Sequence, residues 1–200
     1  DKTLSELFEA KGFFLLGWAE QGFIYIFSKK LIRNFEDLRG VKLWNWAGDA
    51  FAKEVFGAIE VIVPVPLPVP EVLTSLQTGL VDAYYNTPLG AVSLQWYAQV
   101  KYMLTAPVCY GTGALVIKKS SFDELPPDLK GILKSGAKKI SPKLISSARQ
   151  DNAICIKGFP QRGIKLIEPD EGTVEELRAK TKSAQENLTG KFFPKWLLSG

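Results

Sequence analysis

The 200-residue chain holds 46% hydrophobic and 23% charged residues with a net charge of +4, an ordinary globular composition able to bury a core as one large domain or two small ones. The small positive balance is spread along the chain and argues at most weakly for an anionic partner, not for a nucleic-acid surface; no apolar run approaches the ~20 residues of a membrane-spanning helix. With no histidine, the usual general base, proton shuttle and zinc ligand are missing.

In chain order, Leu4, Leu7 and Phe8 share one face of a short helix that Gly12 closes. Residues 13–27, FFLLGWAEQGFIYIF, read as extended chain broken at Gly17 and at Glu20-Gln21-Gly22. From Asn34 to Phe56 the chain spells a compact unit. Asn34 and Asp37 suit the start of a short helix, and Gly40 suits its end. Val41 to Trp46 alternates as a β-strand, and Gly48-Asp49 turns into a capped second helix. The strand's C-terminal end, with Trp44, Asn45 and Trp46, is where an open α/β sheet binds ligands.

Prolines at 64, 66, 68 and 70 confine the next segment to extended or polyproline geometry, at best an edge strand. Glu71 to Leu80 is a helix with Gly79 near its end, and Val81 to Asn86 a strand closed by Thr87-Pro88. Leu89 to Lys101 is an aromatic-bearing helix, with extended chain around 103–118. A long helix runs from Asp128 to about Gly158, kinked at Pro142. Its lysines 130, 134, 138, 139 and 143 read as a solvated face. Ile164 to Ile167 is a last strand, Glu171 to Leu188 a charged helix, and KFFPKWLL an apolar tail able to dock. Such alternation predicts α/β with a sheet covered on both faces.

No catalytic constellation is present: there is no GxSxG, P-loop or GxGxxG. Asp49 reads as a cap, Glu71 as a first-turn acid, Glu54 as a solvated side chain and Asp82 as structural. Cys109 lacks a basic neighbour that would favour a thiolate. Cys109 and Cys155 have no metal spacing and read as buried thiols or, in an oxidising compartment, one disulfide. No cofactor or metal is expected.

The order of motifs resembles the solute-binding proteins of TRAP transporters, the DctP type. Ile32, Asp37-Leu38, Gly40 and Lys42 match the family's D-L-x-G-x-K-x-R unit. Pro68, Glu71-Val72, Leu76, Gly79, Val81-Asp82 and Asn86 match its P-x-x-E-V…L-x-x-G-x-V-D…N unit, and Leu125-Pro126-Pro127-Asp128-Leu129 its L-P-x-D-L helix start. The resemblance covers nearly the whole chain but only the later part of the family's length, as a truncated product or fragment would. It implies a periplasmic-binding-protein type II-like two-lobed fold, mostly domain II plus the C-terminal part of domain I. Residues 1–21 and 109–149 would be the remnant of domain I with hinge strands, and 22–108 with 150–200 domain II.

The resemblance also implies a periplasmic receptor, not an enzyme, that binds a small molecule and docks on the membrane subunits of a TRAP transporter. At the family's two clamp arginines this chain has Trp44 and, after Gly22-Phe23, Ile24. Neither replaces a bidentate guanidinium, so the expected ligand is apolar or aromatic, with Trp44, Ile24, Trp46, Val69 and Tyr85 lining its site and Asn86 kept as a polar contact. Two alternatives stand beside this. One is a same-fold protein that docks a periplasmic accessory partner through the 61–70 edge. The other is an enzyme on this fold using Cys109 or Asp82. Apolar surface at 13–18 and 137–154, without its partner layer, predicts self-association of the truncated chain.

Overall fold

The computed structural model describes residues 2–191; the tail from Phe192 read above as a docking segment lies outside them. Packing divides the chain into two compact units, Asp1–Phe23 with Tyr110–Ile154 and Ile24–Cys109 with Cys155–Gly200.

The first unit contains α1 (Lys2–Ala10), the leading part of β1 (Phe13–Ser28), β6 (Cys109–Lys118) from its second residue onward, α5 (Lys119–Asp123) and most of α6 (Pro127–Gly158). β1 is one continuous strand where the sequence suggested interruptions. Gly22 supplies the flexibility within the strand, at φ 99°, and the Asn152 amide donates to the carbonyl beside it, Gln21, at 2.8 Å. Gly17 allows another close approach, since a Cβ there would lie 2.2 Å from Ser141 Oγ. Phe14 and Phe122 stack at 4.0 Å with Lys134 Nζ over both rings. Arg149 grips Glu20 through a fork of 2.6 and 2.9 Å, which holds the Glu20 carboxyl below its usual range, with Tyr110 assisting. Along α6, Leu129, Ile132, Ile140, Leu144 and Ile154 are exposed.

The second unit is built on strands in the order β3-β2-β4-β1-β5-β7: β2 (Lys42–Trp46), β3 (Val63–Leu67), β4 (Ala83–Asn86), the end of β1, β5 (Tyr102–Leu104) and β7 (Lys165–Ile167). β2 runs parallel to β3 and β4, and β1 antiparallel to β4 and β5. Neighbouring residues point to opposite faces. Ile26, Leu43 and Leu104 therefore join one buried cluster, and Phe27, Trp44 and Met103 the other. On the first face lie α2 (Ala50–Ala58) and α7 (Glu171–Leu188). On the second lie α3 (Val72–Thr78), α4 (Pro88–Ser93), a 3-10 turn at Trp96–Gln99 and the end of α6. Burial on both faces explains the near-continuous apolar strands.

Local signals hold in detail. Asn34 accepts the Asp37 N–H and Asp37 accepts that of Asn34, around a 3-10 turn at Phe35–Leu38. Gly40 and Gly79 take left-handed angles of 69° and 77° after the turns they end. The helix expected over 89–101 is instead two pieces, because Gln95 adopts φ 59° and swings Trp96 into the core, where it is 2% exposed. β3 is the edge strand, as its prolines require. Val63 donates to Val41 O, and the period of two then turns Pro64 and Pro66 toward the open side.

Tyr84 is fully buried, stacked on Phe27 at 5.0 Å and edge-on to Trp96 at 5.2 Å. Its hydroxyl has no hydrogen-bond partner among the described residues, and burial raises its pKa. Leaving a donor unsatisfied costs about 1–3 kcal/mol. Tyr84→Phe should therefore leave stability unchanged or raise it by about 1 kcal/mol. A urea midpoint shifted downward would show that the hydroxyl is bonded after all.

Candidate functional site

The C-terminal end of β2 gathers the polar groups of the second unit. Asp49 closes the turn after Trp46 and caps α2, its Oδ1 accepting the Ala52 N–H at 2.9 Å. Its Oδ2 accepts from the Tyr85 hydroxyl at 3.3 Å, and that hydroxyl accepts the Trp46 N–H at 3.3 Å. The cap thus ties β2, α2 and β4 together. Half-buried Cys109 sits in the field of the same carboxylate. Desolvation first, and Asp49 second, push its thiol up to about 11. Burial, chiefly, also raises the Tyr85 pKa. Near neutral pH, an occupied carboxylate, a protonated thiol and a neutral phenol supply no base-and-nucleophile pair.

Trp44 is only 5% exposed. Its indole N–H donates to Leu67 O at 3.0 Å, and the ring lies 5.1 Å from both Tyr85, stacked, and Trp96, edge-on. Val69, partly buried, packs against the same cluster. Asn86 folds onto the start of α4: its Oδ1 accepts the Thr87 N–H at 2.8 Å and lies 2.3 Å from where a Cβ on Gly90 would be. A Cβ at position 90 would push the Asn86 amide out of this place. Trp46 is 50% exposed and covers Gly48. Ile24 is half-buried, and its carbonyl accepts from Val108 at 2.9 Å.

Lys42 and Asp82 are engaged elsewhere. Lys42, on the Trp44 face, gives its ammonium to Gly79 O. Asp82 is 9% exposed, accepts the Lys42 N–H at 3.3 Å and pairs with Lys30 at 3.1 Å, so it is a tie between strands. Tyr84, the neighbour of Tyr85 on β4, is core. Neither cysteine is in a disulfide, and Cys155 is buried.

Asn45, placed at the strand end by the sequence but assigned no role of its own there, is a buried polar group. It is 4% exposed, its Oδ1 has no partner among the described residues, and it lines a crevice with Ala47, Asp49, Lys53 and Pro66. The one available signal was position: an amide inside an apolar strand, pointing to the face opposite Trp44. Among the described residues no group of three or more Cys, Asp or Glu could hold a metal ion, and no helix is long and apolar enough to cross a membrane.

The profile of the bacterial extracellular solute-binding proteins, family 7 (DctP), matches residues 1–191. A solute-binding protein of Verminephrobacter eiseniae is 30% identical over 90% of this chain and 48% of its own length. The 2,3-diketo-L-gulonate-binding periplasmic protein YiaO of Escherichia coli is 28% identical over 80% of this chain and 48% of its own. The chain thus spans about half the length of the curated relatives it matches. Among solved structures, DctP7 of Bordetella pertussis, an extracytoplasmic solute receptor binding pyroglutamic acid, superposes with a TM-score of 0.87. It is 20% identical over 95% of this chain and 62% of that one. The α/β fold is therefore that of the TRAP periplasmic receptors, as the motif order implied. The class is extracytoplasmic and made of transport solute-binding proteins, not enzymes. From Asp1 to Lys191 this chain belongs to the DctP family, the bacterial extracellular solute-binding proteins of family 7.

Proposed function

We propose that the chain is part of a solute receptor that delivers a small molecule to the membrane subunits of a TRAP-type transporter, and that the molecule is apolar or aromatic. One observation carries the second half. Position 44, where the family pattern has its clamp arginine, holds a buried indole whose N–H is already bonded to Leu67 O, and position 24 is isoleucine. A desolvated carboxylate at this strand end would find no fork to pair with. Tyr85 stacks on Trp44 and Val69 packs against the same cluster; in this reading Trp46 and Ile24 add apolar surface beside them and Asn86 orients a polar end. In this reading residues 22–108 and 150–200 form the lobe that carries these side chains, and 1–21 with 109–149 belong to the other.

The relatives favour a second reading, an acid as solute, because one is named for 2,3-diketo-L-gulonate and another binds pyroglutamic acid. Titration of the protein with the uncharged fluorophore N-phenyl-1-naphthylamine, and melting with gluconate or succinate, acids without an apolar body, separates the two. The apolar reading expects saturable micromolar binding of the fluorophore; a ligand at 100 times its Kd stabilises by about 2.7 kcal/mol, and the acids should give no such shift. Saturable binding of an acid without the fluorophore would replace it with the second reading.

A further inference from the structure

The second unit contains a cavity away from Trp44, on the opposite face of the sheet. It measures about 190 Å³, somewhat larger than the roughly 150 Å³ cavity that holds a benzene ring. Its floor is Ile26 of β1, Val55, Phe56 and Ile59 of α2, and Val108. The opposite wall is one face of α7: Val174, Leu177, Arg178, Thr181, Lys182 and Gln185 recur at helical spacing. The apolar members of that row lie toward the floor cluster, with Leu177 packed against it, while Arg178 and Lys182 are exposed.

Two features mark this as more than a packing gap. None of the lining residues is acidic. Arg178 and Lys182, four apart on the helix and therefore neighbours, make no ion pair and no hydrogen bond with the described residues. Like charges at that spacing repel, and a bound anion would relieve both at once. Thr181 between them is turned inward on its own helix, donating to Leu177 O at 2.8 Å, so Arg178 and Lys182 are the charged groups at the rim, beside the neutral Gln185.

We propose that this cavity is a second ligand site, for a small amphipathic monocarboxylate: a ring or short chain on the Ile26–Phe56–Val108 floor, its carboxylate held by Arg178 and Lys182. A guanidinium fork matches the two carboxylate oxygens, and an apolar body with one charged end is what the lining presents. The site is independent of where the transported solute sits.

The test is calorimetric titration of the full chain with 3-phenylpropionate and with its uncharged analogue 3-phenylpropanol. Saturable binding of the acid is expected, weakened about tenfold or more in the R178Q/K182Q variant, whose replaced side chains are exposed, while the alcohol binds both proteins alike. Filling the cavity with Ala106→Leu should weaken acid and alcohol together. The proposal falls if the unmodified protein does not bind the acid saturably, or if R178Q/K182Q binds it as tightly. N-phenyl-1-naphthylamine binding should be the same in R178Q/K182Q as in the unmodified protein, so failure of the solute reading and failure of this one are told apart.

Discussion

Cutting Trp44 back to alanine should destabilise the protein by about 3–5 kcal/mol, the range for deleting a large buried aromatic. The indole is 5% exposed, wedged between Tyr85 and Trp96, and its removal opens a void that stiff neighbours on a sheet cannot collapse into. The Leu67 carbonyl would keep only the 3.4 Å contact from the Ala47 N–H. Half-exposed Trp46 serves as the control, since alanine there should cost well under half as much as at 44 by the same burial argument. Urea unfolding followed by far-UV circular dichroism reads both. If the two alanine variants lose the same stability, position 44 is not the packed floor described. The same burial means Trp44→Arg should unfold the second unit before it could acquire carboxylate binding, because it places an unpaired charge among Phe27, Tyr84 and Trp96.

Cys109 should react with iodoacetamide about 100-fold more slowly than an unperturbed thiol at pH 8, because a pKa near 11 against an ordinary 9 removes two decades of thiolate. The sign for stability follows from linkage. The thiol's pKa is raised in the folded state, so between pH 9 and 11 the unfolded chain releases a proton that the folded one keeps. Stability is unaffected below pH 9 and falls as pH rises through that window. Cys109→Ser should flatten this alkaline loss, measured as urea midpoints at pH 8, 9.5 and 11. Rapid labelling of Cys109 in the native protein would contradict the burial beside Asp49 and Tyr85.

What was legible in the sequence was local. The reciprocal cap of Asn34 and Asp37, the Asp49 cap, the left-handed glycines 40 and 79 and the bounds of α7 each follow from a few adjacent residues. The prolines of β3 also announced an edge. The family pattern added the strand ends near which the candidate residues lie. Non-local partners were not legible. Nothing near Gln95 signals that it would take φ 59°, because the core that receives Trp96 is assembled from segments distant in the chain. Nor does the Trp44 stretch reveal that a carbonyl 23 residues away would accept its N–H. Likewise, the cavity between α2 and α7 joins segments more than a hundred residues apart, a separation that periodicity cannot bridge.

The proline edge of β3 has a consequence for how the protein behaves when crowded. A free sheet edge normally offers alternating donors and acceptors on which a strand from another molecule can grow. Here the residues that face outward, Pro64 and Pro66, have no N–H, so the edge presents carbonyls alone and cannot template a ladder. An incoming strand would leave its own acceptors unmatched at every second position. This end of the sheet is thereby closed to runaway fibril-like growth, and a partner binding there must read the exposed proline rings and Val63 rather than the backbone.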